Sequence, residues 1–199
     1  MKGDKIEKSV GTTYWKKTGA INTSNTLEIA LKAAENEKIR NIVLASNSGE
    51  TAKKLSKKVR DEGGFDRNIV CVTHHVGFRN PGKDEMSNER RNELETEGIK
   101  LLTTTHVLAG VARSIKNDFG GLYPAEIMAY TLRMLGEGVK VAVEISIMAL
   151  DAGLIPYDED IVAIGGTGSG ADTACIIKPG HSNKVFETKI KEILCRPEN

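Results

Sequence analysis

The sequence predicts an α/β protein built as one domain, a three-layer arrangement with a mostly parallel sheet covered by helices on both faces. Three observations point there. Short, largely apolar runs of strand length recur, as in Asn41-Ile-Val-Leu-Ala45, Asn68-Ile-Val-Cys-Val-Thr73 and Asp160-Ile-Val-Ala-Ile-Gly165. Near-continuous apolar strands are those buried on both faces, as parallel sheets require. Segments of helical spacing separate the runs, and that alternation builds parallel sheets. The 199 residues suit a single domain over 1–199, at ~150 residues per domain.

The elements follow in order. Asn25 opens the first helix as its cap, with Glu28 three residues on. Leu27, Ala30, Leu31 and Ala34 then form one helical face. After the strand 41–45, Thr51 to Glu62 reads as a helix with Ala52, Leu55 and Val59 as its apolar stripe, stopped by Gly63-Gly64. The strand 68–73 leads into a loop, 77–88, and a polar helix from Glu89 to Glu97 ended by Gly98. Ile99-Lys-Leu-Leu-Thr103 is the third strand. Helices follow at Val107–Lys116, at Pro124–Leu135 with proline in the first position, and at Val139–Ala152, stopped by Gly153. The strand 160–165 is the fourth and Asp172-Thr-Ala-Cys-Ile-Ile177 the fifth, while the tail from Val185 to Leu194 fits helix and strand equally.

Composition excludes several function classes. Lys and Arg total 28 against 27 Asp and Glu, a net charge of +1 that offers no broad footprint for nucleic acid or an anionic membrane. The most apolar stretch, Val139 to Leu150, is interrupted by Lys140 and Glu144 and falls short of the ~20 apolar residues of a membrane span. The start, Met1 to Lys8, lacks the apolar core of a signal peptide. Cys71, Cys175 and Cys195 lie far apart with no CxxC pair, so neither a disulfide framework nor a metal site is suggested. A soluble, cytoplasmic protein is expected. At 5% aromatic residues, its core must rest on Ile, Val, Leu and Ala.

In such folds ligands gather at the carboxyl ends of strands, near helix N-termini. Ser46-Asn47-Ser48-Gly49-Glu50-Thr51 lies between a buried strand and a helix start. Its hydroxyls, a glycine that admits close backbone approach and the helix's free N–H groups are the parts of a phosphate cradle. A helix capped by Ser48 satisfies the same residues, and Glu50 would repel an anion unless it turns away. Gly165-Gly166-Thr167-Gly168-Ser169-Gly170 follows another buried strand. Residues 166–171 match G-x-G-x-x-A, but a β-like stretch comes next instead of the helix a dinucleotide fingerprint needs. A glycine-rich anion-binding or lid loop is preferred over a tight hairpin, which needs only one or two glycines. His74, His75 and His106 follow two strands and share a sheet edge as an acid–base or metal cluster, or as hydrogen-bonding wall residues. The second reading is preferred because no carboxylate sits at metal-motif spacing. Lys140, Glu144 and Asp151 form one helical stripe, read as a solvated face.

Ile42-Val-Leu-Ala-Ser-Asn-Ser-Gly-Glu-Thr-Ala52 followed by Ile69-Val-Cys-Val-Thr73 resembles the C-terminal domain of pyruvate kinase, whose sugar-phosphate effector loop reads [ST]-x-S-G-x-[ST]-A. Val143 to Gly153, the strand 160–165 and Gly168-Ser-Gly-Ala-Asp-Thr173 are similar to the last helix, strand and effector-covering loop of that domain. Asn22-Thr23, Thr73-His-His-Val-Gly-Phe78, Thr105-His106, Ala149 to Gly153 and Gly165 to Ala174 look like the stand-alone pyruvate kinase α/β-domain-like proteins, known mainly from archaea. That resemblance implies a three-layer αβα sandwich with a mixed five-stranded sheet, its last strand antiparallel. It implies that Ser46, Ser48, Gly49 and Thr51 hold a phosphate and that Gly168, Ser169 and Gly170 cover it. Two departures matter: a basic or small residue usually stands where Glu50 is, and the Trp-Arg pair that helps hold a second phosphate is Gly166-Thr167 here. One phosphate is expected, not a bisphosphate sugar. Pyruvate kinase activity is not expected, since that active site lies in a separate barrel of ~250 residues.

The expected function is binding of a phosphate-bearing small molecule, FMN or another mononucleotide. Asn47, Thr73, His74 and the 166–170 loop would line the rest of the pocket. The alternatives are an enzyme acting on a phosphorylated metabolite or using bound flavin with a histidine acid–base, and an interaction module with a vestigial pocket. Subunit contacts in the related kinase domain imply a homo-oligomer.

Overall fold

The structure, a computed structural model, describes residues 8–61, 63 and 67–198. The leader reading of residues 1–7 and the helix end at Glu62 and Gly64 lie outside them. Seven strands form one sheet in the order β1-β7-β6-β5-β2-β3-β4. They are β1 (Thr13–Trp15), β2 (Asn41–Ala45), β3 (Asn68–Thr73), β4 (Lys100–Thr103), β5 (Ile161–Gly165), β6 (Thr173–Lys178) and β7 (Lys189–Pro197). The helices are α1 (Thr23–Asn36), α2 (Glu50–Asp61), α3 (Asn88–Thr96), α4 (Gly110–Phe119), α5 (Pro124–Arg133) and α6 (Glu137–Asp151).

The expected class holds, with two strands more than expected. All neighbours pair parallel except β6, which runs antiparallel to both β5 and β7. The antiparallel strand is thus β6, and β7 turns back to run with the rest. Within β2, Ile42 and Leu44 pack towards α1–α3 while Val43 packs towards α6. That period-two alternation, repeated in β3, β5 and β6, divides the core into two slabs, one on each face of the sheet. The layers are α1–α3, the sheet, and α6 with α5 packed on it.

The tail is a strand although its apolar residues Ile190, Ile193 and Leu194 are spaced like a helix face. Register shifts opposite Ala174/Cys175 and Ile176/Ile177 insert bulges into β7. Each bulge moves an apolar side chain one place along, so Ile190 and Ile193 both face the α6 slab. α1 starts at Thr23, two residues before Asn25, because a 3-10 turn (Ala20–Asn22) runs straight into it. Among the described residues no helix is long and apolar enough to cross a membrane. The three cysteines are free and buried; burial pushes the thiols of Cys71 and Cys175 up to about 12 and that of Cys195 to about 11.

Candidate functional site

The chain lays down β2, β3 and β4 outward, then returns through α4–α6 to place β5 on the other side of β2. Loops leaving β2 and β5 therefore diverge and open a crevice at their carboxyl ends, where open α/β sheets bind ligands. A cleft of about 950 Å³ lies there, within the size range of small-molecule sites.

Its first wall is the loop after β2. Ser46 Oγ accepts the Thr51 N–H at 3.2 Å, so Ser46, not Ser48, secures the start of α2. Ser48 is exposed, lines the cleft and has no hydrogen-bond partner among the described residues. The N–H groups of the first helical turn lack intrahelical acceptors, and the positive end of the helix dipole lies with them. Glu50 also lines the cleft, with its Oε1 accepting from Arg90 Nη2 of α3 at 2.7 Å. Its charge is therefore compensated. Gly49 is not among the cleft-lining residues: its φ is +83°, and a Cβ there would stand 2.6 Å from Arg90 Cγ. Packing on α3 demands the glycine, not approach of a ligand.

The loop after β3 forms the second wall. Asn47 Oδ1 accepts the His74 N–H at 3.1 Å, and Asn47 Nδ2 lies 3.1 Å from His74 Nε2. On the other side of the ring, His74 Nδ1 lies 2.5 Å from Glu85 Oε2, and Arg79 Nε pairs with Glu85 Oε1 at 2.8 Å. These contacts select the tautomer with the proton on Nδ1, donating to Glu85, while Nε2 accepts from Asn47. Phe78 stacks on His74 at 3.7 Å between ring centroids, and His106 lies 5.3 Å from His74. Thr73 also lines the cleft, but its hydroxyl is held 2.7 Å from that of Thr103. His75 does not line the cleft; its Nδ1 lies 2.8 Å from the Val76 carbonyl.

Gly166, Gly168, Ser169 and Gly170 form the facing wall, on a wide hairpin between the antiparallel β5 and β6. The preference against a hairpin is corrected only in part: the connection spans residues 166–172, wider than any tight turn. Thr167 does not line the cleft. Its N–H donates to Asp172 Oδ2 at 3.2 Å, and the same oxygen accepts from the Gly19 N–H at 2.7 Å. Asp172 is fully buried, and its Oδ1 takes the Thr173 hydroxyl at 2.9 Å. The carboxylate holds the loop's shape from behind.

The floor is α6, and here the expected solvated stripe is overturned. Lys140 and Glu144 are 6% and 4% exposed, with Lys140 Nζ 2.5 Å from Glu144 Oε2. Glu144 Oε1 also accepts the Leu108 N–H at 2.8 Å. α6 is covered by the sheet on one side and α5 on the other, so its polar residues meet the cleft instead of solvent. Asp151 lies apart, 2.8 Å from His181 Nδ1. The signal for Lys140 and Glu144 was two charges inside an apolar run, and Phe78 closes the Thr73–Phe78 stretch of the resemblance; Arg79, Arg113 and Arg133 carry no local motif.

His106 also lines the cleft. Burial pulls it below the usual value of 6.5, Glu144 raises it, His74 lowers it further, the Thr73 backbone raises it and Lys140 lowers it. With the folded value depressed, the unfolded chain takes up the proton first. The stability contributed by neutral His106 is therefore present above about pH 6.5 and is lost as pH falls through the folded value. Thermal unfolding followed downward from neutral pH should show that loss, and His106→Gln should flatten the slope. An unchanged slope in the variant would refute the assignment.

A sheet of mostly parallel strands with a cleft at its carboxyl edge, between the loops of β2 and β5, makes this an α/β domain of the three-layer class. The chain matches the family model described as pyruvate kinase, alpha/beta domain over residues 24–177, and it belongs to that family. Solved structures with likeness to it include a pyruvate kinase from Cryptosporidium parvum, at 13% identity and a TM-score of 0.40 over 78% of this chain and 22% of that one. A second pyruvate kinase structure from that organism matches at 12% identity and a TM-score of 0.38, over 81% and 23%. The Cryptosporidium parvum enzyme in complex with ADP matches at 13% identity and 0.37, over 95% and 25%. The chain spans about a quarter of the length of the pyruvate kinases it matches.

Proposed function

We propose that the cleft binds a phosphate-bearing small molecule, with FMN or another mononucleotide as the ligand. One observation carries this. The 46–51 loop presents an unpartnered Ser48 hydroxyl and a helix N-terminus to the same 950 Å³ cleft that is walled by the 166–170 loop and by His74, Phe78 and His106. The phosphate would sit on Ser48, Thr51 and the first-turn N–H groups. The aromatic wall offers faces and edges to a planar ring, and the volume admits a whole mononucleotide.

Self-association is part of the same proposal, with a second copy of this chain as the partner. α4 has no buried residue, and α5 buries only Ala129. Val111, Phe119, Leu122, Ile127, Tyr130 and Met134 are each at least half exposed. Together they leave the outer face of these two helices apolar, as the core of an interface between copies would be.

Native mass spectrometry of freshly purified protein, with a visible spectrum of the same sample, tests both parts. A mononucleotide mass increment on a dimer or higher species is expected, with flavin absorption if the ligand is FMN. A ligand-free oligomer that takes up no added mononucleotide would overturn the binding proposal, and a ligand-bearing monomer would overturn self-association.

A further inference from the structure

Three cations from three helices line the boundary between the main cleft and a smaller neighbour. Arg113 of α4, Arg133 of α5 and Lys140 of α6 border both the cleft and an adjoining pocket of about 280 Å³, which no residue of the 46–51 loop reaches. Lys140 is the unusual member. Its side chain is 7% exposed, and its ammonium donates one hydrogen bond, to Glu144 Oε2. An ammonium has three N–H donors, so two find no acceptor among the described residues. Burying a charge with its hydrogen bonds incomplete is destabilising, and the position makes physical sense when something in the cavity supplies the missing acceptors.

The surrounding charges reinforce this. Glu144 spends its other oxygen on the Leu108 N–H, and Glu137 is held by Arg133. Glu126, the carboxylate bordering the smaller pocket, is held by Lys116 through Oε1 at 2.7 Å, while its Oε2 is buried with no partner among the described residues. Each nearby carboxylate already has a cation of its own. Arg113 meets none among the described residues; its guanidinium lies over Phe78, 5.8 Å from the ring centroid. One positive charge is left over, on a wall that also carries unspent ammonium and guanidinium donors.

We propose that Lys140, Arg113 and Arg133 form a second oxyanion subsite, which takes the phosphate or carboxylate group of a second small anion bound beside the mononucleotide, away from the 46–51 loop. That the anion has a mononucleotide for its neighbour rests on the phosphate-ligand reading of the cleft, but the three residues and their unfilled donors do not.

Titration with inorganic phosphate, followed by NMR, separates the two sites. The backbone amides of residues 48–51 report the first, and the Nε–H signals of Arg113 and Arg133 report the second. Sodium acetate and sodium chloride at matched ionic strength serve as comparisons. Both sets of signals are expected to saturate with phosphate and not with chloride. Arg113→Gln, on a helix with no buried residue, is expected to weaken saturation of the Arg133 signal about tenfold while leaving the 48–51 amides within about twofold. Saturation of the arginine signals by acetate as well assigns a carboxylate-tolerant subsite, and saturation by phosphate alone assigns a phosphate subsite; both uphold the proposal. Arginine signals that follow ionic strength only, while the 48–51 amides saturate, overturn the subsite and leave the cleft reading standing. The reverse pattern, arginine saturation with unmoved amides, upholds the subsite and overturns the phosphate loop.

Discussion

Replacing Ser48 and Thr51 together by alanine is expected to abolish mononucleotide retention while the protein stays folded. Ser48 is exposed and makes no hydrogen bond within the described structure, so its hydroxyl contributes nothing to the fold that alanine would lose. Thr51 is buried in the first turn of α2, but its structural contact is its backbone N–H, given to Ser46 Oγ, and alanine keeps that N–H. Hydrogen bonds to a charged group contribute about 1.5–3 kcal/mol each. Losing two should weaken FMN binding by about a hundredfold or more. Titration of FMN fluorescence against wild type and variant, with a thermal melt of each, reads both effects. Affinity within about threefold of wild type would remove the phosphate from this loop. Ser46→Ala behaves differently: it frees the Thr51 N–H and should cost about 1 kcal/mol of stability, as loss of a helix cap does.

The largest loss of stability is expected from Gly165→Ala. A Cβ at Gly165 would stand 2.3 Å from the Gly138 carbonyl oxygen, and one at Gly138 would stand 2.0 Å from Thr173 Oγ1. The first turn of α6 thus rests on the end of β5, backbone against backbone, and on the Thr173 side chain of β6, and no side-chain rotation relieves the clash at Gly165. A loss of about 3 kcal/mol or more follows, or roughly 6–12 °C in Tm for a domain of this size. Ligand binding should fall with it, because α6 carries Lys140 and Glu144 at the floor and β5 feeds the 166–170 loop. A melting point within about 2 °C of wild type would show that α6 can lift away from the sheet.

The central strands were legible because they are buried on both faces. Asn41–Ala45 and Asn68–Thr73 have the same limits in sequence and structure. An unbroken apolar run bounded by polar residues leaves little room for another reading. β1 left no signal, since three residues, Thr13–Trp15, are too few to show alternation. β7 carried a misleading one, because its bulges convert a period of two into helix-like spacing. The residues of the 46–51 loop stood out for a comparable reason: the stretch is contiguous, and its hydroxyls and glycine follow a recognisable strand. Even there the roles needed the fold. Gly49 answers to Arg90, Glu50 is paired with Arg90, and the capping oxygen belongs to Ser46.

By itself the sequence determined the alternation of strands and helices, the class of fold, the family and the two loops that face each other across the cleft. All of these are written in local runs of residues, where side-chain periodicity and turn chemistry act over a few positions. Only the tertiary structure decided that Lys140 and Glu144 are buried and that Arg113 and Arg133 join Lys140 at one wall. It alone placed His74 between Asn47 and Glu85. Those outcomes depend on which helix covers which face and on contacts between segments far apart in the chain, and no local pattern encodes them. A charged residue on a helix looks the same in sequence whether water or another helix lies above it, yet its chemistry is set by which of the two is there.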